Sequence, residues 1–164
     1  MKIRLFLLAT LAIPLAAQPA LDARYTKWLS EDAAYLITDA EWQSWKQLVT
    51  DTDRDQFIDQ FWTRRGAGFK QEHYRRIAYA NQRFASTVPG WKTDRGRIYI
   101  KFGPADQVEA HPSGESYDRP TEQGGGRTAT YPFEKWRFHS AGAGPEIIFD
   151  FVDSARTGEY RLVP

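Results

Sequence analysis

Apolar residues recur at helical spacing through the first half of the chain and at strand spacing through the second. Thr38-Asp39-Ala40-Glu41 has the spacing of a capping box, which predicts a helix carrying Trp42, Trp45 and Leu48 or Val49 on one face. An earlier helix is predicted over 21–37 with Trp28, Leu29, Tyr35 and Leu36. A third begins near Thr52, where Phe57, Ile58, Phe61 and Trp62 make a broad apolar stripe, and Gly66 and Gly68 break it. A fourth, near 70–86, aligns Tyr74, Ile77, Asn81 and Phe84, so Asn81 is expected to hydrogen-bond something buried.

Beyond Gly96 the period changes. Ile98, Ile100 and Phe102 alternate with Arg97, Tyr99 and Lys101, which predicts a half-buried strand ended by Gly103-Pro104. Further strands are expected at 107–110, 130–138, 146–152 and 160–163. Ala141-Gly142-Ala143-Gly144-Pro145 and Thr157-Gly158 are the turn signals between the later ones. The stretch 111–128, with Gly124-Gly125-Gly126, reads as a mobile loop. Helices first and strands afterwards predict an α+β fold, with N-terminal helices packed on one face of a C-terminal antiparallel sheet of four to five strands.

Composition adds a destination. Lys2 and Arg4 precede the apolar run from Leu5 to Ala17, the layout of a secretory signal peptide over 1–17. No Cys follows to accept a lipid. Removing the first 17 of the 164 residues leaves 147, enough for a single domain over 18–164. It divides into a helical part at 18–88 and a sheet part at 89–164. The chain has no Cys, so it folds without disulfides.

The formal charge of +1 becomes −1 once Lys2 and Arg4 are removed, which argues against nucleic acid as a partner. The charges are segregated, however. Residues 30–60 hold eight acids and two bases, whereas 61–84 hold Arg64, Arg65, Lys70, Arg75, Arg76 and Arg83 against Glu72 alone. Pairing between adjacent helices accounts for this, and a basic binding face that includes Arg64 and Arg65 is the alternative.

Gly90-Trp91-Lys92-Thr93-Asp94 continues through Arg95, Gly96, Tyr99, Gly103 and Pro104, and it resembles the signature of the GWxTD domain family. Phe61-Trp62-Thr63-Arg64-Arg65 and Tyr79-Ala80-Asn81-Gln82-Arg83-Phe84 are similar to the helical portion of that family. Gly66-Ala67-Gly68 departs from the Asp- and Pro-containing turn expected there. The family is named for its motif, so the resemblance implies an exported bacterial protein but no reaction or ligand.

The residues themselves read first as structural. Gly90 and Gly96 admit tight backbone, Thr93 and Asp94 can bond free turn amides, and Trp91 can plug a gap between helix and sheet. Alternatively Asp94 and Arg95, beside Tyr99 on an outward strand face, form the floor of a peptide or glycan site.

Other chemistries fit less well. Asp51, Asp53, Asp55 and Asp59 imitate a calcium loop, but Gln56 stands at its glycine position and Trp62 at its last carboxylate. His73, His111 and His139 are scattered, and no metal motif, thiol nucleophile or Gly-x-Ser-x-Gly elbow is present. Glu115 and Asp118 near His111 could act as acid or base, but from a loop that positions them poorly. Trp28, Trp42, Trp45 and Trp62 read as core, and Trp136 as facing the core from the sheet.

The favoured expectation is a non-catalytic interaction module, exported to the periplasm or the medium, that meets an envelope protein, a peptide or a glycan. Trp91, Thr93, Asp94, Arg95, Tyr99, Arg64 and Arg65 are its candidate binding residues. No cofactor, metal or permanent membrane span is expected after signal removal. The alternative is an envelope hydrolase or carbohydrate-active enzyme with a cleft near Asp94, Arg95 and Tyr99, joined by His111 or Glu115.

Overall fold

The computed structural model describes residues 21–139 and 144–163; the segment expected to be a signal peptide and most of the turn expected at 141–145 lie outside these. Helices α1 (Ala23–Lys27), α2 (Asp39–Lys46), α3 (Asp51–Arg64), α4 (Phe69–Arg83) and α5 (Asp94–Phe102) come first. Strands β1 (Gln107–His111), β2 (Ser116–Asp118), β3 (Arg127–Ala129), β4 (Phe133–Phe138), β5 (Ile147–Val152) and β6 (Arg161–Leu162) follow. The fold is α+β. The main sheet has four antiparallel strands in the order β1-β4-β5-β6, and β2 pairs with β3 in a separate two-stranded sheet.

The helix starts follow from local chemistry. Thr38 accepts from the Glu41 amide while Glu41 accepts from the Thr38 amide, completing the capping box that opens α2. Thr50 caps α3 by accepting from the Asp53 amide. The Asp51–Asp59 run is therefore helix rather than an open loop. At the first helix the chain passes from α1 into a wider π turn at Trp28–Asp32 instead of continuing regularly to Ile37.

Two aromatic-rich cores result. Tyr25, Trp28, Ala33, Trp45, Phe61 and Trp62 form one among the first three helices. Ile77, Ala80, Phe84, Ile98, Ile100, Trp136, Phe138 and Phe151 form the second, where α4 and α5 cover one face of the sheet. Tyr74 packs against both. Trp42 is not core: it is 40% exposed, and Leu48 rather than the 79% exposed Val49 turns inward.

Three expectations are corrected. The predicted strand over 97–102 is helix α5, so helical structure reaches Phe102. Helix α5 contacts α4 and β6, and both Ile98 and Ile100 are buried; an element enclosed on more than one side can imitate strand alternation over a few residues. Thr93, which caps α5 through the Gly96 amide, and Asp94 in the first turn are the local signals that favour helix. Second, the 111–128 stretch is structured, holding β2, a 3-10 turn at Thr121–Gln123 and the start of β3. Third, the strand expected from 130 begins at Phe133.

Residues paired across a sheet share a face. Trp136 and Phe151 point inward, whereas Glu109, Lys135 and Asp150 form a charged row on the side away from the helices. Among the described residues no helix is long and apolar enough to cross a membrane.

Candidate functional site

The turn from α4 into α5 is a knot of inward-directed groups. Gly90 and Gly96 lie where backbones nearly touch: a Cβ on Gly90 would stand 1.9 Å from the Ala80 carbonyl oxygen, and one on Gly96 1.8 Å from that of Gly90. Buried Thr93 donates its hydroxyl to the Gly90 carbonyl at 2.8 Å and accepts from the Gly96 amide at 3.1 Å. Asn81 accepts from the Trp91 amide at 3.0 Å, and the Tyr35 hydroxyl donates to the Trp91 carbonyl at 2.9 Å. The polar position in the α4 stripe thus pins the motif's tryptophan.

Asp94 reaches further than its own turn. Its Oδ2 accepts from the Leu162 amide of β6 at 2.8 Å, and its Oδ1 pairs with Arg97 at 3.0 Å. The expected bonding to nearby turn amides is made by Thr93; the carboxylate instead fastens a strand 68 residues away to the start of α5. Asp94→Ala should cost about 1–3 kcal/mol by orphaning that amide and freeing β6. Denaturant melts read it. Asp94→Asn, which keeps an acceptor, should recover part of the loss, and an unchanged Asp94→Ala protein would remove this assignment.

Arg95 is enclosed. Its Nη1 donates to Glu134 at 2.8 Å and its Nη2 to the Gly158 carbonyl at 3.0 Å, with the guanidinium 4.1 Å from the Tyr160 ring centroid. Glu134 also accepts from the Trp136 indole at 2.9 Å. Tyr99 lies on α5, not on a strand face, and stacks against Tyr79 with centroids 4.4 Å apart; burial raises its hydroxyl pKa.

The basic stretch is paired partly within α4, where Arg75 and Arg76 meet Glu72, and partly between helices. Arg65 clamps Glu41 with Nη1 at 3.0 Å and Nη2 at 2.9 Å, while also donating to the carbonyls of Phe61 and Leu36. Arg64, half exposed, reaches the same carboxylate at 3.3 Å. Hydrogen bonding from Arg65, ahead of the Thr38 amide, lowers the Glu41 pKa to about 2. A lowered carboxyl pKa supports the fold above its unfolded value near 4.5, and that support drains as pH falls toward about 2. Arg65→Met should raise the Glu41 pKa and move acid unfolding to higher pH, as read by carboxyl NMR titration. A Glu41 titration left near 2 in the variant would refute the clamp.

Two depressions among the described residues bear on these groups. One, of about 320 Å³, lies between the α3–α4 turn and the end of α5, lined by Leu36, Arg65, Phe69, His73, Arg76 and Lys101 among others. Glycine 68 begins α4 without a side-chain cap, Lys101 makes no ion pair among the described residues, and Arg76 bonds Glu72 and the Ile100 carbonyl. His73 donates Nε2–H to the Asp32 carbonyl at 2.6 Å, and burial lowers its pKa. The other, about 450 Å³ and polar, is bordered by Pro112, Pro132, Arg156 and Tyr160. There Asp153 is buried and spends its carboxylate on the Thr157 and Gly158 amides.

None of Trp91, Thr93, Asp94, Arg95 and Tyr99 lines either depression. Arg65 lines the first. His111 and Glu115 are not beside Arg95: His111 occupies the outward face of the sheet, and the Glu134 that Arg95 grips occupies the inward one. Lys101 and Phe69 escaped the sequence reading, and Arg76 entered it only as one of the basic stretch, because only the packing of α5 against α4 creates their cleft.

A family model described as the GWxTD domain matches residues 16–163. No curated protein and no solved structure matches the chain.

Proposed function

We propose that this chain, which belongs to the GWxTD domain family, is an exported, non-catalytic binding module of the bacterial envelope. The cleft at the start of α4 carries the reading. It sets apolar Phe69 and Leu36 beside three cations: Arg65, paired with Glu41; Arg76, paired with Glu72 in the first turn of α4; and Lys101, whose charge is the one left for a partner among these. That combination suits a protein or peptide segment with a carboxylate next to an apolar side chain. The motif residues, whose polar groups are spent on one another and on β4 and β6, hold α5 in place as the far wall of this cleft.

Photo-crosslinking in cells tests the proposal. Benzoylphenylalanine in place of Phe69, at the cleft rim, should capture one discrete envelope component. The same group at Ile148, exposed on the outer sheet, should not. Lys101→Glu should weaken the Phe69 adduct. Adducts from Ile148 alone, or adducts indifferent to Lys101→Glu, would overturn the cleft assignment. Mass spectrometry of the fractionated protein should find it outside the cytoplasm and processed near Ala17; a cytoplasmic pool retaining Met1 would overturn export.

A further inference from the structure

We propose that Glu109 and His111, with Glu115 behind them, form a binding site for a divalent transition-metal ion of the zinc class. Alternation along β1 puts Glu109 and His111 on one face of the strand. The His111 ring lies flat on Phe133, its partner across the sheet, with centroids 4.3 Å apart and planes 11° from parallel. Glu115 follows a turn in which the Gly114 amide bonds the His111 carbonyl. Its backbone is held on both sides by Thr130, whose hydroxyl accepts from the Glu115 amide at 2.7 Å and whose amide donates to the Glu115 carbonyl at 2.8 Å.

These anchors place a carboxylate on each ring nitrogen: Glu109 Oε1 is 3.0 Å from Nε2 and Glu115 Oε1 is 3.4 Å from Nδ1. One donor atom from each residue lies within 4.8 Å of the others. A neutral imidazole has a single N–H, so it can donate to only one of two flanking carboxylates; the other faces a lone pair. A cation between Nε2 and Glu109 removes that conflict. The 3.0 Å spacing there is close to the roughly 3.3 Å between neighbouring donors about a tetrahedral ion with bonds of about 2.0 Å. Glu115 then accepts Nδ1–H and fixes the ring, the arrangement in which a carboxylate orients a metal-bound histidine. One imidazole and one carboxylate, both partly exposed, leave coordination positions for water or a partner's side chain. The imidazole favours zinc-like ions over calcium or magnesium.

Calorimetric titration of the full, chelator-stripped chain with zinc sulfate and, separately, calcium chloride tests the site. One equivalent of zinc should bind, with no calcium response. His111→Phe, which keeps a ring on Phe133, and Glu109→Gln should each abolish the zinc signal, whereas Glu115→Gln should weaken binding about 10–100-fold. His139 also lies between two carboxylates, Asp106 and Glu146 at 3.2 and 3.5 Å, but their donor atoms do not converge as those of Glu109, His111 and Glu115 do, so His139→Ala is the control and should change nothing. Absence of zinc uptake, uptake indifferent to His111→Phe, or uptake lost with His139→Ala would each overturn the proposal.

Discussion

Gly90→Ala should destabilise the protein by more than about 3 kcal/mol and leave little folded chain on mild heating. Ordinary overpacking of a core costs about 1–3 kcal/mol because side chains can shift rotamer. Here the new methyl would meet main chain: Ala80 oxygen at 1.9 Å, Ala80 carbon at 2.5 Å and Asn81 Cα at 2.8 Å. Relief requires moving α4 away from the motif, which also separates Asn81 from the Trp91 amide. Gly66→Ala is the comparison. Gly66 has a left-handed φ of 94° but open space around its Cβ direction, so its loss should be nearer about 1 kcal/mol. Denaturant titration of the two variants beside wild type decides the matter. A Gly90→Ala protein within about 1 kcal/mol of wild type would mean that the close approach is not what holds α4 against the motif.

Arg95→Met is the second large effect, expected at about 3–5 kcal/mol. Arg95 and Glu134 have side chains only 12% and 16% exposed, so removing the guanidinium strands a carboxylate in a poorly hydrated site with the Trp136 indole as its remaining donor. The Gly158 carbonyl and the Tyr160 ring lose their cation as well. Glu134→Gln in the same chain should recover a substantial part of the loss, because the charge that had become expensive is gone. Lysine at position 95 should not substitute fully, since a single ammonium cannot serve Glu134 and Gly158 in the fixed directions of a guanidinium. Equal stability of the single and double variants would show that the pair is solvated and contributes little.

What could be read along the chain was what neighbours in sequence decide. The capping box at Thr38 and Glu41, the broad stripe of α3 and the alternation in β5 each state their geometry within one or two turns. Helix α5 was lost because Ile98, Tyr99 and Ile100 have strand preference and alternate over too short a span for period to decide; its enclosure between α4 and β6 is long-range information. Asp94 was expected to bond amides of its own turn, and its partner at Leu162 is invisible from the motif. Glu109 was missed because the expected strand stopped at 110 and left His111 in a loop, whereas β1 reaches His111 and sets the two residues on one face. The charge segregation was legible in outline, and the Arg65–Glu41 clamp is the pairing it implied.

The division into two cores sets a temporal order on the molecule. Every buried member of the first core falls between residues 25 and 62, so it needs none of the later chain, and such local contacts form quickly. The second waits for the chain's last strand, because Asp94 and Arg95 find their partners at Leu162 and Gly158. Early formation does not make the first core the sturdier half. The indole N–H groups of Trp28 and Trp62 are buried there with no protein group accepting from them. Two cores built from separate stretches allow separate opening, with the amides of α2 and α3 expected to exchange through sub-global unfolding while those of β4 and β5 await complete denaturation.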